Sequence, residues 1–165
     1  MTQITLVLPY PISANRYWRP VKLGKHISIV PTKEAKAYKA EVATRYRGPQ
    51  ITGRYLLEVF LFPNRPQDWQ KRQRQHGVAW DDTVMCIDLG NCEKVLSDAL
   101  RGVAIEDDKW AREIVLIRME PDQHGARAVV RITALSVDEP QLPIDLPAES
   151  AEPIATVEDD DEPPF

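Results

Sequence analysis

Ile87-Asp88-Leu89-Gly90-Asn91-Cys92-Glu93-Lys94, continued through Ser97-Asp98-Ala99-Leu100 to Glu106-Asp107-Asp108, joins an apolar stripe to two acidic clusters. Leu89, Cys92, Leu96, Ala99 and Leu100 recur at helical spacing and form that stripe. Asp88 stands just before it, where a carboxylate can cap the helix. Gly90, Lys94, Ser97, Asp98 and Arg101 fall on another arc, because positions i, i+4 and i+7 share a face. The helix therefore presents a carboxylate at its start and a lysine about one turn in. Asp107-Asp108 follows the Gly102 break. Two carboxylate clusters with a lysine between them can hold magnesium against a phosphate, since that ion takes a few oxygen ligands and keeps waters. A plainer reading uses the same residues. Asp88 is then only an N-cap and Asp107-Asp108 only a turn before a strand, and periodicity alone tilts slightly toward this reading.

A second block lies at the N-terminus, where Leu8-Pro9-Tyr10-Pro11 precedes Asn15-Arg16-Tyr17-Trp18-Arg19. Together with Asp88-Leu89-Gly90-Asn91, Lys94, Asp98-Ala99-Leu100 and Asp107-Asp108, in this order, it resembles the RusA family of Holliday-junction resolvases. The resemblance covers roughly residues 1 to 136. It implies a Mg2+-dependent endonuclease of bacterial or phage origin, acting in the cytoplasm as a homodimer on four-way or branched DNA. Asp88, Lys94 and Asp108 match the family's catalytic positions, with Asp88, Asp108 and Asp107 toward the metal. One position departs: the family's second helix aspartate falls on Gly90. Three explanations stay open. A carboxylate from elsewhere substitutes, with Asp81, Asp82, Asp107 and Glu93 as candidates and Asp81-Asp82 first among them. Alternatively the chain is a catalytically weakened protein that still binds junctions, or water fills the vacancy.

The length, 165 residues, suits one domain with a sizeable core. The start lacks a basic region before a hydrophobic stretch, so no signal peptide is expected. Cys86 and Cys92 have no neighbouring histidine and no zinc-like spacing. The net charge of −4 conceals a division. Residues 138–165 hold ten acidic residues and no Lys or Arg, so the body carries 21 basic against 15 acidic residues, a net of +6. A basic body suits a nucleic-acid partner.

Ile4 to Leu8 reads as a strand, as do His26 to Val30 and Arg54 to Phe62. Thr32 caps a helix from Lys33 with Ala35, Tyr38, Val42 and Tyr46 as its stripe. The third strand does not alternate cleanly and is expected to be central and covered on both faces. Trp110 to Met119 and Ala126 to Leu135 form a hairpin. The expected fold is α/β (α+β), a mixed sheet with two helices in the order ββαβαββ over residues 1–137.

Residues 64–86 read as a flexible, basic, glutamine-rich loop inserted before the catalytic helix, or else as a solvated linker or short polar helix. Basic groups meet phosphates and aromatics stack on bases, so Asn15, Arg16, Arg19, Lys71, Arg72 and Arg74 are candidates for DNA contact. Affinity carried by phosphates falls steeply with salt. Residues 138–165, acidic and proline-rich, are expected to be disordered. Their tip, with Asp159, Asp160, Asp161, Pro164 and Phe165, resembles the C-terminal tip of bacterial single-stranded DNA-binding proteins. That resemblance implies docking to host proteins that bind such tips; the alternative is a solubilising tail that folds back over the basic face.

Overall fold

The computed structural model describes residues 2–137. The expected disorder of 138–165 lies outside them. Alternating apolar residues build β1 (Gln3–Pro9), β4 (Tyr55–Phe62) and β6 (Arg127–Ala134). Between β1 and β4 come a short helix α1 (Ala14–Tyr17), β2 (Trp18–Leu23), β3 (His26–Pro31) and α2 (Lys33–Arg45). Between β4 and β6 come α3 (Trp69–His76), a 3-10 turn over Gly77–Thr83, α4 (Leu89–Leu100) and β5 (Ala111–Arg118). The mixed sheet has the order β1-β6-β4-β5. β6 runs antiparallel to both β1 and β4, whereas β5 lies parallel to β4.

The mixed α+β architecture agrees with the sequence, but four details differ from it. First, β5 and β6 do not form a hairpin: β5 takes the sheet edge and β6 inserts between β1 and β4. Burial explains the choice. Ala128, Val130 and Ile132 of β6 are fully buried, while Ile114, Val115 and Ile117 of β5 stay about 40% exposed. The parallel partnership of β4 and β5 needs a helical crossover, which α4 supplies.

Second, β4 alternates cleanly. Tyr55, Leu57, Val59 and Leu61 are fully buried against the helices. Its other face is half-open rather than covered. There Arg131 pairs with Glu58, and the Arg127 guanidinium lies 3.9 Å over the Phe62 ring. The Arg127 guanidinium that covers Phe62 also pairs with Asp122, so a pattern that looks apolar throughout still has a polar side.

Third, β2 and α1 add a strand and a helix to the N-terminal half of the expected order. Gly24, at φ +63°, lets Leu23 turn back into His26, so β2 and β3 form a separate ribbon. Ser13 accepts from the Asn15 amide and starts α1.

Fourth, residues 69–83 are folded, not a flexible loop. Asp68 pairs with Arg72 across one turn, and Arg72 Nη1 donates to the Thr83 carbonyl at 2.8 Å. Trp69 and Trp80 lie 6.2 Å apart, and Trp80 Nε1 donates to Glu120. The buried Trp80 and the half-buried Trp69 thus anchor a segment poor in aliphatics.

α2 and α4 cover the sheet's buried face with Ala35, Tyr38 and Val42 on one side and Cys92, Val95, Leu96, Ala99 and Leu100 on the other. Thr32 caps α2 by accepting from the Ala35 amide. Asp98 ties three helices together. It accepts from the buried Tyr17 hydroxyl and pairs with Lys39 at 3.6 Å and Arg101 at 3.2 Å. Asp98→Ala therefore leaves a buried hydroxyl without an acceptor and destabilises the fold by about 1–3 kcal/mol, whereas Asp98→Asn keeps an acceptor and loses less. Urea unfolding measures both. Equal stability of the alanine variant and the parent would contradict this role.

Candidate active site

Asp88 starts α4, and its Oδ1 accepts from the amides of Gly90 at 2.9 Å and Asn91 at 3.2 Å. A carboxylate there satisfies two orphan donors and complements the positive helix end. Its Oδ2 has no protein partner among the described residues. The helix then presents Gly90, Glu93, Lys94 and Ser97 at successive turns of one side. At the other end of the crossover, Asp107 Oδ1 accepts from the Lys109 amide and opens a 3-10 turn, Asp108–Trp110, that leads into β5. That backbone bond, more than Lys109's charge, holds the Asp107 carboxyl below the usual range.

These two segments meet. Glu93, Lys94 and Ser97 of α4 line one open pocket with Asp108, Lys109, Ala111 and Ile114. Lys94 is exposed and makes no ion pair among the described residues. Glu93 Oε1 accepts from Ser97 Oγ at 2.6 Å, which fixes the carboxylate along the helix. Asp108 has a long pairing with Arg101, 3.8 Å, in which both side chains are about half exposed. Such a pair holds the carboxylate only weakly.

Beneath the pocket lies a residue the sequence did not announce. Tyr55 is fully buried, and its hydroxyl has no hydrogen-bond partner among the described residues. Its register partner on β5 is Ala111, which lines the pocket. Burial pushes the phenol up to about 12, and the carboxylates of Asp108, Glu93 and Asp107 push the same way. The hydroxyl is therefore a protonated donor at neutral pH. The only sequence signal was a tyrosine opening a strand of aliphatics.

Asp88 does not line this pocket. About 13 Å of helix axis separates its position from that of Ser97. Asp81 and Asp82 are farther removed. Arg118 Nη2 donates to the Asp81 carbonyl at 2.7 Å, and Arg118 closes the strand that Asp108 precedes. The eight-residue strand puts roughly 23 Å between those ends. The structure thus unites Lys94 and Asp108 with Glu93, and leaves Asp81-Asp82 at the opposite end of β5.

Among the described residues no group of three His, Cys, Asp or Glu side chains converges to hold a metal. The donors present still suit magnesium. Glu93 and Asp108 offer hard oxygens, Tyr55 is an orphaned buried donor, and Mg2+ is commonly held by one or two carboxylates with waters and substrate phosphates. Soft-metal chemistry does not fit. Cys92 is buried, and burial raises its thiol to about 12. Cys86 accepts from the Tyr10 hydroxyl at 3.5 Å.

The basic candidates scatter. Asn15, Arg16, Arg19, Lys71 and Arg74 are exposed. Arg16 pairs with Glu34 at 2.9 Å in the open, and with Trp18, Arg19 and Lys33 it borders a shallow groove. Arg72 is committed to Asp68 and Thr83 and braces the fold. His76 and His124 are exposed. No described helix is long and apolar enough to cross a membrane. Asp159, Asp160, Asp161, Pro164 and Phe165 lie outside the described residues.

No curated protein matches the chain. The family model described as Endodeoxyribonuclease RusA matches residues 9–133, a span that holds α1, all of α4 and the Asp107-Asp108 turn. On that match, and on the order of its motifs, the chain belongs to the RusA family of endodeoxyribonucleases, which implies an endonuclease that resolves Holliday junctions.

Proposed function

We propose that the chain is a Mg2+-dependent, structure-selective endonuclease that resolves four-way DNA junctions in recombination and repair. The single observation that supports this best is the meeting of Lys94 and Asp108, from segments on either side of the crossover loop, in one open pocket beside Glu93. Of the carboxylates the family motif assigns to the ion, Asp108 lines this pocket with Asp107 next to it in sequence, and Asp88 caps the helix start outside it. Magnesium in such a site supplies charge to the phosphate and a more acidic water. Lys94, exposed and without an ion pair among the described residues, offers an ammonium where negative charge builds on the phosphate or the leaving oxygen. Asn15, Arg16, Arg19, Lys71 and Arg74 lie in the open, where they can meet phosphates, so recognition rests on branch shape and backbone rather than base sequence. A junction needs two symmetric nicks and one chain offers one pocket, so a two-fold homodimer matches the substrate. The site of action is the cytoplasm.

A second reading is a junction-binding protein without cleavage. Gly90 and the lack of three converging carboxylates among the described residues favour it. Nicking of a synthetic four-way junction in Mg2+ separates the two, with Gly90→Asp assayed alongside. The variant is buildable, since a Cβ at position 90 meets only Asp88 Oδ1, at 3.2 Å, and that side chain has to yield slightly. Paired nicks by the parent, lost on chelation, are expected. Nicks by the variant alone would establish the binder.

The acidic tip supports a further role in recruiting proteins that take a terminal phenylalanine and its carboxylate into an apolar, basic-rimmed pocket. Removing Pro164 and Phe165 should end the recovery of such proteins in pull-downs; unchanged recovery refutes the idea.

A further inference from the structure

We infer that Glu93 supplies the metal-directed carboxylate that the helix lacks at Gly90. This inference rests on the nuclease reading above and names a residue of the same site. The helix geometry comes first. Glu93 lies three residues beyond Gly90, and side chains on an α-helix lean toward its N-terminus. Glu93 Oε1 here accepts from Ser97 Oγ, and on release from that bond the carboxylate can swing toward the surface that an aspartate at position 90 would occupy. Its extra methylene gives it reach, and the missing side chain at Gly90 leaves room, for only Asp88 Oδ1 comes within 4 Å of a Cβ there.

Placement comes second. Of the acidic residues on α4, Glu93 is the one that lines the pocket with Asp108 and Lys94. Asp98 is turned to Tyr17, Lys39 and Arg101. Asp88 caps the helix start and lies outside the lining. Asp81 and Asp82 sit at the far end of β5.

The third observation is independent of the carboxylates. The Tyr55 hydroxyl, on the residue paired with pocket-lining Ala111, is wholly buried and has no partner among the described residues. An orphaned donor is costly unless something accepts from it. The carboxylate oxygens of Glu93 and Asp108, drawn together on a cation, are acceptors of the right chemistry.

The test uses the full chain and Mn2+ alone, with binding followed by electron paramagnetic resonance of the free ion. Glu93→Gln retains an acceptor for Ser97 Oγ, so the fold should hold, and thermal unfolding checks this. Its Mn2+ affinity is expected to fall at least ~10-fold, while Asp81→Asn and Asp82→Asn bind as the parent does. Gly90→Asp placed in the Glu93→Gln chain should recover much of the loss. A parent that nicks junctions in Mg2+ while Glu93→Gln binds Mn2+ unchanged overturns the Glu93 assignment alone. A parent that neither binds Mn2+ nor nicks junctions overturns the nuclease reading and this inference with it.

Discussion

Lys94→Ala lowers the rate of junction nicking by about two to three orders of magnitude and leaves junction affinity within a few-fold. The first half follows from placement. Lys94 shares a pocket with Asp108 and Glu93 and has no ion pair among the described residues. A structural lysine would be tied to a carboxylate; this one, among the described residues, is not, although it shares its pocket with two acids. Charge developing on a phosphate oxygen in the transition state is what such a donor meets, and removing one comparable donor costs about 2.7–4 kcal/mol of barrier. The second half follows from the number of other exposed cations. Arg16, Arg19, Lys71 and Arg74 remain to carry phosphate contacts, so one lost lysine changes affinity little. Nicking that stays within a few-fold of the parent would mean Lys94 is only a solvated surface residue.

Asp108→Asn is expected to be more severe, about three orders of magnitude in rate, because it removes a charge directed at the cation and several kcal/mol of transition-state stabilisation with it. The fold should survive. Asp108 is exposed, and its one ion pair is long and half-solvated. The neighbouring acid gives the contrast. Asp107 spends its Oδ1 on the Lys109 amide and its Oδ2 on the Lys109 ammonium at 3.6 Å, so Asp107→Asn mainly loosens the turn. Single-turnover nicking of a four-way junction distinguishes them: a much larger loss for position 108 than for 107 is expected. Equal losses would move the cation's ligand from Asp108 to the pair.

Much of this was readable from local pattern. The stripe of Cys92, Leu96, Ala99 and Leu100 faces the core, Asp88 and Thr32 cap their helices, and the order of motifs pointed to the family. Those features depend on neighbours within one turn. What the sequence hid depends on long-range pairing. Nothing local says that β6 inserts between β1 and β4, since a short connection normally favours a hairpin. The basic segment looked unstructured because its anchors, Trp69 and Trp80, are two aromatics in a polar run. Asp81-Asp82 looked close to the site because sequence distance to Asp88 is short, yet Arg118 ties them to the wrong end of β5. Tyr55 shows in the sequence only as a tyrosine opening an aliphatic strand, because an orphaned hydroxyl exists only once the strands are paired.

Crystals of the full chain soaked in Mn2+ provide the most direct test, read from the anomalous difference map. One strong peak is expected in the pocket between Glu93 and Asp108, across from Lys94. A peak against Asp81 and Asp82 instead, or a map with no peak in that pocket, would contradict the account.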